Sequence, residues 1–180
     1  MKKFDHLLDL PDWYDHEGSH HPFEVARGAS IGYWYGQPDW QPRPRTYSPS
    51  NVPPSEVYSP ERVKGCCATY GFRKGYRFKD NDYKDTQSEE EMRRYGEPRK
   101  VHWHNPLTIT RGVAIGFAYA RNGNNRPDTR HPDVRSCCAT FGFGHGYDVG
   151  ILVFFANSTK REQEPYFAEE RRRRNEYGWG

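Results

Sequence analysis

With 180 residues the chain has room for one domain or two very small ones. Only 34% of it is hydrophobic, with Ala, Tyr and Cys counted, whereas 16% is aromatic and there are 17 Gly and 14 Pro. So few Leu, Ile and Val exclude a doubly wound enzyme, a large β-sandwich or a coiled coil, and a net charge of +3 is too small to demand a nucleic-acid partner.

Residues 1–21 read as an N-terminal extension. Asp5, Asp9, Asp12, Asp15 and Glu17 interrupt it, so it carries neither the apolar stretch of a secretory signal nor the acid-poor character of a transit peptide. Beyond it lies an internal repeat. Residues 66–76 (CCATYGFRKGY) match 137–147 (CCATFGFGHGY) at eight of eleven positions, an offset of 71. Residues 22–35 (PFEVARGASIGYWY) match 106–119 (PLTITRGVAIGFAY) at an offset of 84. The chain is therefore expected to hold two copies, 22–78 and 104–150, with a charged insert at 79–103 between them.

Each copy divides again. Aligning Gly32, Gly71, Gly116 and Gly142 puts Gly28, Cys67, Gly112 and Cys138 four residues before and Gly36, Gly75, Ala120 and Gly146 four after. Small residues at i, i+4 and i+8 share one helix face and let backbones approach closely. Pro22, Pro60, Pro106 and Pro132 precede the four quarters, as helix starts would. The alternation of glycine with Phe, His and Tyr in 141–147 also fits a strand, but it occurs in one quarter only, so the four-residue spacing favours helices.

Between the quarters, residues 37–60 hold half the prolines and read as an extended, polyproline-like arm. The segment 151–180 begins as an apolar run and ends in a charged helix, Arg171 to Arg174 among Glu162, Glu164, Glu169, Glu170 and Glu176. Residues 136–159 alone approach a membrane-spanning length and are the one candidate for membrane contact. His145 and Asp148 lie within them, and a buried helix packed through glycine is the preferred reading. The predicted architecture is mainly α with much irregular structure: tandem duplicated glycine-zipper helical hairpins, a Pro-rich arm and a charged C-terminal helix.

No reaction chemistry emerges. Cys66-Cys67 and Cys137-Cys138 lack the spacing of zinc ligands, and Cys67 and Cys138 fill the register held by Gly28 and Gly112, as small packing residues would. His102 and His104 flank Trp103 without a partner set, and Gly142–Gly146 has no phosphate-loop lysine. Catalytic residues, cofactors and metals are not expected. Trp13, Trp34, Trp40, Trp103 and Trp179 are expected to be anchors buried against partner subunits.

The stretch Asn105–Gly123, with its Gly112-x₃-Gly116 zipper followed by Arg121-Asn-Gly, resembles the third helix of a mitochondrial inner-membrane family built on four glycine-zipper helices. That family includes the core subunits of protein-import translocases and an accessory subunit of respiratory complex I. The motif at 141–150 is also similar to that of the small cristae-shaping subunit of the mitochondrial contact-site complex. The resemblance covers about a third of the chain and implies a mitochondrial location in association with the inner membrane. The expectation is a non-catalytic structural or accessory subunit of a large assembly, a respiratory complex or ATP synthase, whose partners are other protein subunits. An RNA-associated ribosomal subunit and a filament-lining protein are the alternatives, nucleic acid being the less expected partner.

Overall fold

The computed structural model describes residues 5–8, 21–37, 59–78 and 105–178, which are mainly helical, with five α-helices and no strand among them. They are α1 (Pro22–Gly36), α2 (Cys66–Arg77), α3 (Pro106–Arg121), α4 (Cys137–Asn157) and α5 (Lys160–Tyr177). Two 3₁₀ turns, Asp5–Leu7 and Pro60–Arg62, accompany them. Helix starts follow from local chemistry. The His21 ring accepts from the Glu24 N–H, Asn105 Oδ1 from the N–H groups of Leu107 and Thr108, and Ser136 Oγ from that of Ala139. Pro22 and Pro106 open α1 and α3, where a missing N–H costs nothing.

Two boundaries differ from expectation. Pro60 opens the short 3₁₀ turn and Pro132 lies in a loop turn, while α2 and α4 begin later, at the cysteine pairs. The second copy was expected to stop at 150, yet α4 continues to Asn157 because its Ile-Leu-Val-Phe-Phe run extends the helix without a breaker. Residues 38–58 of the Pro-rich arm at 37–60, and all of the insert at 79–103, lie outside the described residues.

The helices of each pair do not form the expected hairpins. Gly28 faces Ala68 and Gly32 faces Phe72, so position rises along both helices together. Gly112 and Gly116 face Ala139 and Phe143 in the same sense. The helices of each pair are parallel. The C-terminal ends of α1 and α3 also meet, where Arg121 Nη1 donates to Gln37 Oε1 at 2.6 Å. All four helices therefore point one way, with α1 and α3 central and α2 and α4 on opposite flanks. A small-residue spacing is blind to chain direction, which is why the sequence pattern could not supply it.

Packing follows the repeat residue by residue. On one flank Ile31, Val63, Ala68 and Phe72 cluster with Tyr35 and Tyr76; on the other their counterparts Ile115, Val134, Ala139 and Phe143 cluster with Tyr119 and Tyr147. Leu7 and Leu8 complete the first cluster, and Phe154, Phe155 and Tyr166 the second. Between the copies, counterparts meet each other: Val25 and Ile109 share a cluster with Ala29 and Val113, and Tyr33 packs edge-on against Phe117 at 5.0 Å. An approximate two-fold axis, parallel to the helices, passes between them.

Candidate functional site

Within the chain, glycines bring the helix backbones into close approach. An added Cβ on Gly28 or Gly32 would fall well inside van der Waals distance of the Ala68 or Phe72 carbonyl oxygen. Gly71 and Gly75 meet the carbonyls of Val25 and Ala29 in the same way. Across α3 and α4 the corresponding contacts are Gly112 with Ala139, Gly116 with Phe143, Gly142 with Ile109, and Gly146 with Val113. Gly150, three turns along α4, adds Phe117. Backbone thus rests on backbone in both pairs. Gly36 closes α1, and Gly144 lies off the zipper, with open space where its Cβ would be.

Cys138 is buried and Cys67 packs against the same cluster. None of the four cysteines is in a disulfide, and no group of three or more His, Cys, Asp or Glu side chains able to hold a metal occurs among the described residues. Trp34 is half-buried and packs on the cluster of Tyr33, Phe78, Ala114, Phe117 and Val149. Trp13, Trp40, Trp103 and Trp179 lie outside the described residues.

Two surface features went unnoticed in the sequence. Phe23 and Phe141 remain exposed on either side of His145, with ring centroids 5.2 and 4.7 Å from the imidazole. Burial pushes the His145 pKa down, against the opposing pull of Asp148. In the first copy the counterpart of His145 is Lys74, 5.5 Å from the Tyr70 ring centroid. The repeat offset was the available signal for this pairing.

The second feature is the connector from α3 to α4. Because the helices are parallel, residues 122–136 must return along the bundle, and they do so against α4. Tyr147 donates its hydroxyl proton to the Asn124 carbonyl at 2.9 Å, and Arg126 pairs with Asp148 at 2.6 Å. His131 stacks on Phe143 at 5.7 Å, and Val134 joins the flank cluster beside Ala139. The same strand of chain holds α5. Asn125 donates to the Tyr166 carbonyl and to Glu170, and Arg173 pairs with Asp128 at 3.1 Å. Helix α5 has no buried residue, and its charges neutralise one another: Arg172 and Arg173 hold the Glu169 carboxyl down to about 2.

Among the described helices only α4 is long and apolar enough to cross a membrane, and half of its apolar window is buried in the bundle. No family model, curated protein or solved structure matches the chain.

Proposed function

We propose that the chain is a non-catalytic structural subunit of a large protein assembly, with the parallel four-helix bundle as its rigid body. The polar connector 122–136 carries this reading. Were the bundle to span a bilayer, a parallel α3 and α4 would force Asn124, Arg126, Asp128 and Arg130 through hydrocarbon beside α4 in non-helical backbone, which lipid does not tolerate. The apolar face of α4 is used on α3 and the flank cluster instead.

The resemblance around Asn105–Gly123 gives the setting, an assembly of the mitochondrial inner membrane, and the bundle sits on the aqueous side of it. The partners in this reading are protein subunits, contacted through the Pro-rich arm, the exposed aromatics and the charged face of α5. The tandem duplication supplies what a homodimer would, two zipped pairs around an axis, in one chain. Native extraction followed by identification of co-purifying proteins tests the reading. Stable co-migration with inner-membrane complex subunits, together with release from membranes by alkaline carbonate, is expected. Retention in the carbonate pellet, or co-migration with ribosomal RNA or tubulin, would overturn it.

A further inference from the structure

We draw no further inference here: the strongest candidate, the surface patch between the start of α1 and the middle of α4 where the exposed Phe23 and Phe141 flank His145, is an apolar face, and nothing in the structure shows what covers it.

Discussion

At the residue scale the glycines divide into two physical kinds, and substitution separates them. Alanine is ordinarily the better helix former by about 0.5–1 kcal/mol. At Gly116 the new methyl would collide with the Phe143 backbone, which cannot move aside as a side-chain tip can. Gly116→Ala is therefore expected to lower stability by about 1–3 kcal/mol, read as a lower thermal midpoint. Gly144→Ala meets nothing and should raise stability by about 0.5–1 kcal/mol. Equal effects at the two sites would refute the close zipper. The small-residue register was legible in the sequence because a four-residue spacing maps directly onto one helix face. Gly144 could be set apart because it lies two residues from Gly142, on another face. The half-buried packing of Trp34 was not legible, since it depends on which neighbour arrives beside it.

His145 carries a pH effect whose sign follows from its environment. Its folded pKa lies below the ordinary value of about 6.5, so the unfolded chain takes up protons first as pH falls. The associated stability is present above about pH 6.5 and is lost as pH drops through the depressed folded value. Melting profiles at pH 7.5 and 5.5 should show a fall in midpoint that shrinks in His145→Gln. An identical pH dependence in the two proteins would exclude the imidazole as its source.

At the element scale α5 is attached rather than embedded. Its start is a capping box in which Thr159 accepts from the Glu162 N–H while Glu162 accepts from the Thr159 N–H. Its flank is held by Phe155, which stacks on Phe167 at 5.5 Å and meets Tyr166 edge-on at 5.1 Å. Thr159→Ala should raise amide hydrogen exchange in the first turns of α5 and leave exchange in α1 and α3 unchanged. Faster exchange throughout the bundle would mean that α5 is part of the cooperative core. The charged character of this helix was readable from its alternating acids and arginines. Its docking on residues 125–128 was not, because those contacts join segments about 45 residues apart through side-chain geometry.

At the scale of the whole molecule the parallel arrangement is the finding the sequence could least supply. Spin labels at Asn105 and Ser136, in a chain with its native cysteines replaced, are expected to lie much closer than labels at Arg121 and Ser136. The difference should approach the length of α3, about 24 Å for 16 residues. The reverse ordering of distances would restore the antiparallel hairpin. The repeat itself was visible as matched residues, but a pattern of matches carries no information on how two equal halves face each other. That is decided where unlike counterparts such as Tyr33 and Phe117, or Gln37 and Arg121, fit together across the axis.

Four helices aligned in one direction also make the bundle an electrical object. Each helix contributes roughly half a positive charge at its start and half a negative charge at its finish. In an antiparallel bundle these cancel end against end; here the four add, and α5, which runs back along residues 125–128, offsets one share, leaving about one and a half charges of each sign on opposite faces of the body. The protein accordingly has a head and a tail independent of its surface residues, and in an electric field it should orient along the helix axes. Transient electric birefringence of the intact chain would register that permanent moment. A building block with such a built-in direction meets its neighbours in an assembly from two unlike ends.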